Sequence, residues 1–470
     1  MDSTFQSILP PLITIVVAAW TKKIIPSLLI GLLIGSYMLN SSAAGFETAV
    51  DCLVKTLADE DNQQVLLFLF LFSGLIKLIK QSGGIEAFSS RAGKSIKSEK
   101  GVFLTLWAMI PVTFIDDDFR VIGVGSILNS LAEKNRIAKE RLAFMLSNTA
   151  SPIIELIPIA TTFVGFNVAV IHQGLRAAGV AGKHSAYAVW LSAIPLEFFS
   201  LAIIPITFLS IFFHFGRKMD KTGEANGELA RHKMNDKSGV PLIKPRMINL
   251  VGPIFCVISL TFFFFWFFRV DKSDNVSFLS AITHTAPNKA MLVALFISVI
   301  ASAIFYYFQK YKLKEMTADM ISGGNEIIVT LVVLVLAWAL ASVSQDLGLN
   351  DFIQKQVGSS LPAWSIPLTL FIISSTVTYF TGSAWGAAAL IMPFAIHLAV
   401  SEGLGIPLCA AAVITGGTFG DVTSPLAGLT NMAANVTHAD HAAYLKYANP
   451  HNFLAAGIAA VLFLIAGVKT

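Results

Sequence analysis

Charge is scarce in this sequence. Asp, Glu, Lys and Arg make up 13% of its 470 residues, while hydrophobic residues make up 55%. A soluble domain carries roughly a quarter charged residues, so the chain reads as an integral membrane protein with many spans. Its apolar runs are of helix length, which excludes a β-barrel. Cysteine is also rare. Cys52, Cys256 and Cys409 are scattered and give neither metal spacing nor a disulfide framework. There is no P-loop, no GxGxxG after a strand and no HExxH. The serines lack a matched His and Asp motif, which argues against an intramembrane hydrolase. Enzymatic activity, a cofactor and a nucleic-acid partner are therefore not expected. A cleaved signal is not expected either, since Lys22 and Lys23 follow the first apolar run and Pro10-Pro11 sits near its start.

Apolar segments lie near 6–21, 24–40, 64–80, 101–115, 120–132, 142–171, 186–213, 248–268, 291–308, 324–344, 363–400, 405–434 and 452–468. Several are long enough for two elements or a re-entrant hairpin. Lys and Arg set the expected orientation. The 214–246 loop carries Arg217, Lys218, Lys221, Arg231, Lys233, Lys237, Lys244 and Arg246 and reads as cytoplasmic, a solvated linker. Lys310, Lys312 and Lys314 fall on the same side, as does the basic stretch 77–100. The 41–63 loop, with Glu47, Asp51, Asp59, Glu60 and Asp61 against Lys55, reads as external, and the N-terminus then lies outside. The run Phe262 to Phe268 is expected to face lipid, with Trp266 at an interface. The expected division is a first transmembrane repeat over 1–213, a basic linker over 214–247 and a second repeat over 248–470.

Two distant stretches look alike. Asn148-Thr149-Ala150-Ser151-Pro152-Ile153 and Asp421-Val422-Thr423-Ser424-Pro425-Leu426 each place Ser-Pro among apolar residues. Proline removes a backbone donor and interrupts a helix. Unpaired backbone groups survive at membrane depth only inside protein or beside a wet cavity. One such break in each half points to a transporter's binding site. Two further pairs keep the same order: Gly84 to Phe88 with Gly348 to Phe352, and Thr113 to Asp116 with Thr378 to Thr381. The first Gly motif sits in a basic loop and the second in an acidic one, so the halves are expected to be inverted in topology. The fold class expected is an all-α polytopic membrane protein of two inverted repeats, with discontinuous helices and re-entrant hairpins.

Asp116, Asp117 and Asp118 follow an apolar span and map onto Thr381-Gly382-Ser383-Ala384-Trp385-Gly386, whose glycines and hydroxyls suit an unwound helix lining a cavity. The plainer reading is a helix start with Asp residues complementing its dipole, and Arg120 paired with one of them. Gly416-Gly417 suits a tight hairpin tip before Asp421. Asp421, Thr423 and Ser424 offer oxygens, the ligands hard cations prefer, so Na⁺ is expected at Asp421 and Thr423. The plainer reading of Asp421 is a cap on a helix opened by Ser424-Pro425. Glu155 lies among apolar residues, either as a proton carrier or as a structural carboxylate paired with Thr161 or Thr162. Glu197 poses the same choice. His397, on an apolar helix, reads as a core histidine.

The motifs Ile115-Asp116-Asp117, Thr149-Ala150-Ser151-Pro152 with Leu156 to Ile159, Thr381-Gly382-Ser383 with Trp385-Gly386, and Phe419-Gly420-Asp421 with Ser424-Pro425 resemble the NhaC family of Na⁺/H⁺ antiporters, within the ion-transporter superfamily. The resemblance runs from about Leu9 to Phe463. It implies an inverted-repeat transporter, with Na⁺/H⁺ and Na⁺-lactate/H⁺-malate antiporters among the relatives. The chain departs from the family pattern at Ser147 and Gly428, where aspartates are usual, at Asp118, where tyrosine is common, and at Glu155, where an apolar residue is usual. Either charge has moved within one site or the coupling chemistry has changed.

The function expected is alternating-access, Na⁺/H⁺ antiport-like secondary transport in the bacterial inner membrane. Asp421, Thr423, Ser424, Asn148, Thr149 and Ser151 would line a midplane site, with Asp116, Asp117, Asp118, Thr381, Ser383 and Trp385 beside it. Glu155 and Asp421 would couple protons. The alternative is a Na⁺- or H⁺-coupled carrier of a small organic acid or amino acid, held by helix N-termini after the Ser-Pro breaks. A passive channel would instead need a continuous pore. Lipid, Na⁺, H⁺ and a small organic anion or amino acid are the partners this calls for, and a homodimer is compatible with it.

Overall fold

The computed structural model describes residues 5–40, 44–84, 87, 98–159, 161–213, 243–268, 287–349 and 362–469. The regular elements among them are all helical. In the first half they are α1 (Leu9–Thr21), α2 (Ile24–Leu39), α3 (Ala44–Ala58), α4 (Glu60–Gln81), α5 (Glu99–Ala108), α6 (Ile110–Thr113), α7 (Asp117–Lys134), α8 (Lys139–Asn148), α9 (Ser151–Ile154), α10 (Thr162–Ala177), α11 (Ala186–Ala193) and α12 (Phe198–Leu209). In the second they are α13 (Ile248–Phe267), α14 (Pro287–Tyr307), α15 (Leu313–Glu326), α16 (Ile328–Asp346), α17 (Ile366–Thr381), α18 (Ala384–Ser401), α19 (Ile406–Thr423), α20 (Gly428–Thr437) and α21 (His441–Lys469). Eight described stretches are long and apolar enough to cross a membrane, and two bent helix pairs would bring the number to ten. The protein is an all-α polytopic membrane protein with discontinuous helices. Most of the 214–247 linker and most of the Gly84/Gly348 pair of motifs lie outside the described residues.

The two halves repeat a pattern of breaks. In each, a helix ends, a polar N-cap opens the next, and the helix after that stops at Ser-Pro. Asp116 caps α7, accepting Phe119 N–H at 2.9 Å. Ser383 caps α18, accepting Gly386 N–H at 3.0 Å. Each cap occupies one of the donors that a helix start leaves unpaired. Then α8 stops before Ser151-Pro152, and α19 stops before Ser424-Pro425.

At the centre lies α19, buried along almost its whole length. Small residues make this possible, since close approach of helices in lipid relies on small side chains. A Cβ on Gly416 would lie 2.6 Å from the Phe371 carbonyl oxygen, and one on Gly420 would lie 2.9 Å from that of Ser375. Ser374 Oγ donates to Val413 O at 2.6 Å, and Ser424 Oγ to Tyr379 O at 2.6 Å, closing α17 onto α19. The glycine pair Gly416-Gly417 is thus helix interior, not a hairpin tip: Gly416 lies against the α17 backbone, and a Cβ on Gly417 would lie 3.4 Å from Ala384 of α18. The aromatic run splits by face. Phe263, Trp266 and Phe267 point outward, while Phe265 is buried against Tyr187 at 4.9 Å between ring centroids. His172 lies on α10, 3.1 Å from Asp61 of α4.

Gly420→Val should overpack the α17–α19 contact and cost about 1–3 kcal/mol. A thermal melt of the detergent-solubilised protein measures this. Gly457→Ala, at a position inside α21 with no neighbouring atoms within 4 Å, should not lower the melting temperature.

Candidate functional site

The first break is built around a buried cation. Arg120, in the first turn of α7, is 0% exposed. Its guanidinium donates to Thr113 Oγ1 at 2.7 Å, to Leu106 O at 3.1 Å and to Thr149 Oγ1 at 3.0 Å. None of these acceptors is a carboxylate, so the expected pairing of Arg120 with the neighbouring aspartates does not form. The guanidinium instead holds α5, α6 and the Thr149 break together. Thr149 is consequently a structural acceptor. Beside it, both side-chain atoms of Asn148 and the Ser151 hydroxyl are buried with no hydrogen-bond partner. Buried polar groups are rarely left so, and here three lie in one turn.

The aspartates split by environment. Asp116 is committed to capping α7, and its other oxygen accepts from Thr162 Oγ1 at 3.1 Å. Asp117 is buried. Asp118 is exposed, yet Lys80 on α4 and Glu326 on α15 lie within its electrostatic reach. Charges from two other helices around an exposed carboxylate describe a crevice between helices, not the outer wall.

The second break folds differently from the expectation of a cap. Asp421 lies in the last turn of α19, and no helix opens at Pro425; α20 begins at Gly428. The Asp421 side chain is buried and makes no hydrogen bond or ion pair among the described residues. Asp117 and Asp118 are within its electrostatic reach. Thr423 Oγ1 donates to Phe419 O at 2.6 Å, which leaves its lone pairs available. Ser424 Oγ is more occupied, donating to Tyr379 O and accepting Leu426 N–H at 3.0 Å. Thr381 Oγ1 donates to Val377 O at 2.7 Å within α17. Gly382 takes φ +69° and lies against the Leu426–Ala427 backbone, so the two breaks of the second half touch. Trp385 packs on Phe163 and Phe166, 5.3 and 4.3 Å between ring centroids, and walls the region from the α10 side. Pro152 is buried and Pro425 exposed.

The halves meet across this region. Tyr444 Oη donates to Ser147 Oγ at 2.8 Å. Glu155, 1% exposed, accepts from Ser200 Oγ at 3.2 Å and from Thr418 Oγ1. These are its partners in place of Thr161 and Thr162, because Thr161 caps α10 and Thr162 bonds Asp116. Thr418 stands one turn before Asp421 on α19, so Glu155 and Asp421 are linked through a single helix face. Sequence reasoning missed Thr418, Ser200 and the role of Arg120. The one available signal was an arginine between a run of three aspartates and an apolar stretch.

Residues 153–468, more than half of the chain, match the sequence profile of the Na⁺/H⁺ antiporter family. The chain belongs to the Na⁺/H⁺ antiporter family. It is a secondary transporter, a multi-pass membrane protein. It is 25% identical over 461 residues to an uncharacterised protein of Haemophilus influenzae, covering 94% of this chain and 87% of that one. It is 31% identical over 189 residues to the malate-2H⁺/Na⁺-lactate antiporter of Bacillus subtilis, covering 38% of this chain and 37% of the relative. It is 25% identical over 179 residues to the Na⁺/H⁺ antiporter NhaC of Alkalihalophilus pseudofirmus, covering 37% and 38%. Among solved structures it shares the fold of MtrF from Neisseria gonorrhoeae, described with a class of antimetabolite efflux pumps, at TM-score 0.64 and 14% identity over 90% of this chain and 84% of that one. The Alcanivorax borkumensis YdaH transporter, of unusual topology, matches at TM-score 0.57 and 12% identity over 90% and 89%.

Thr149→Val should leave one buried guanidinium N–H without its acceptor and cost about 1–3 kcal/mol. The melting temperature in detergent reads this loss, and Thr149→Ser should restore it.

Proposed function

We propose that the chain exchanges Na⁺ for H⁺ at a site formed by Asp117, Asp421 and Thr423, with Glu155 coupling protons. The supporting observation is Asp421: a buried carboxylate with no partner among the described residues, within electrostatic reach of Asp117 and Asp118. Buried carboxylates gathered around one point repel one another until a cation or a proton joins them. Competition between the two for the same oxygens is antiport with no further chemistry. Asp118, in the crevice, would pass ions between this point and water.

The orientation that goes with this reading has the chain in the bacterial inner membrane, its N-terminus outside and the 214–247 linker in the cytoplasm. Residues 1–213 and 248–470 are its two inverted repeats. The repeated order of breaks and N-caps supports it, as does the charge of the connecting loops.

A second reading is favoured by Arg120. A buried guanidinium with no carboxylate partner, its Nε unsatisfied, lies beside the unpartnered Asn148 and Ser151. A small organic acid would complete that set, Arg being suited to bidentate carboxylate binding. Part of the chain also resembles the malate-2H⁺/Na⁺-lactate antiporter.

Proteoliposomes separate the two readings. A Na⁺ pulse should move protons outward through the wild type. Asp421→Asn should abolish that movement while leaving the melting temperature near wild type, and full activity in this variant would remove Asp421 from the site. Under the second reading, Na⁺- or H⁺-driven uptake of labelled malate or lactate should appear in the wild type and vanish in Arg120→Gln.

A further inference from the structure

Glu197 is the most isolated charge-bearing side chain in the interior. It is 0% exposed, and both of its carboxyl oxygens are buried without a hydrogen-bond partner. It occupies a break of its own. Ala186–Leu196 and Phe198–Leu209 meet at 45°, with Pro195 in the turn before Glu197. Glu197 stands at the N-cap position of α12 but its side chain forms no cap bond. An acidic side chain that declines the usual N-cap bond is turned elsewhere. Its charge neighbour is Glu155, whose Ser200 partner sits in the first turn of the same helix.

The surroundings narrow what the two carboxyls hold. Ser200 N–H donates to Thr415 Oγ1 at 3.4 Å, and the Ser200 and Thr418 hydroxyls donate to Glu155 Oε2. Asp421 on α19 is the other charge facing Glu155. Of the titratable groups on α21, Tyr444 donates to Ser147 and His451 Nδ1 lies 3.1 Å from Tyr447 O, while His451 Nε2 is buried without a hydrogen-bond partner. No Lys or Arg among the described residues forms an ion pair with either glutamate. Two anions cannot share a dry site without a neutralising partner.

We propose that Glu155 and Glu197 form a proton-holding carboxyl pair, separate from the cation position at Asp117 and Asp421, with Glu197 as its inner member. The pair takes one proton from water reaching Asp421 and returns it when Na⁺ arrives there, so one negative charge is neutralised in each half cycle. That coupling role rests on the antiport reading; the presence of the shared proton does not.

The test uses the full-length protein in proteoliposomes with Glu155→Gln, Glu197→Gln and Glu197→Asp. Infrared difference spectra between acidic and alkaline buffer should show a carboxylic-acid C=O band in the wild type that loses intensity in either Gln variant and persists, shifted, in Glu197→Asp. Na⁺-driven proton movement in Glu197→Gln should have a flattened pH profile and fewer protons per Na⁺, while binding of radiolabelled Na⁺ is retained. If Glu197→Gln does not fold, carbodiimide labelling of the wild type replaces it: modification at Glu155 or Glu197 that fades as pH rises supports the pair, and none overturns it. An unchanged acid band in both Gln variants, or a wild-type pH profile and ratio in both, also overturns it. Failure of the wild type to move protons on a Na⁺ pulse would refute the antiport reading, and the infrared band would still decide the pair.

Discussion

Charge buried away from water must be neutralised, and in this protein the neutralising partner is largely missing from the protein itself. Asp117, Asp421, Glu155 and Glu197 carry the same sign and lie in electrostatic sequence through the interior. Arg120, a buried cation three residues from Asp117, spends its guanidinium on hydroxyls and a carbonyl. Keeping four carboxyls inside an apolar protein without a cationic partner among the described residues is costly.

The breaks follow from the same constraint. A continuous helix presents no spare backbone groups, whereas a stopped one opens a polar gap inside the bundle. Each gap here is closed by a specific bond: Arg120 to Thr149 in the first half, Ser424 to Tyr379 in the second. The breaks are therefore fixed in place, and both side-chain polar atoms of Asn148 stay without a hydrogen-bond partner.

Much of this was legible in the sequence. Helix-length apolar runs gave the architecture, and the Ser-Pro pairs gave both breaks, because proline's missing N–H acts locally. Asp421 and Glu155 stood out as carboxyls where hydrocarbon was expected. What could not be read was partnership. Thr418 looks like any threonine near glycines, and its bond to Glu155 joins residues 263 apart in sequence. Gly416 and Gly417 looked like a turn because glycine serves both turns and close helix contacts, and only the neighbours, α17 and α18, decide between them. Asp116 followed the plainer reading: a helix start wants an acidic cap, and one received it.

The glycine face of α19 bears on motion. With Gly416 and Gly420 set against the α17 backbone, the two helices have no slack to slide past one another, since packed interiors rearrange between discrete states and not by gradual give. They must travel as one rigid body carrying Asp421 with them.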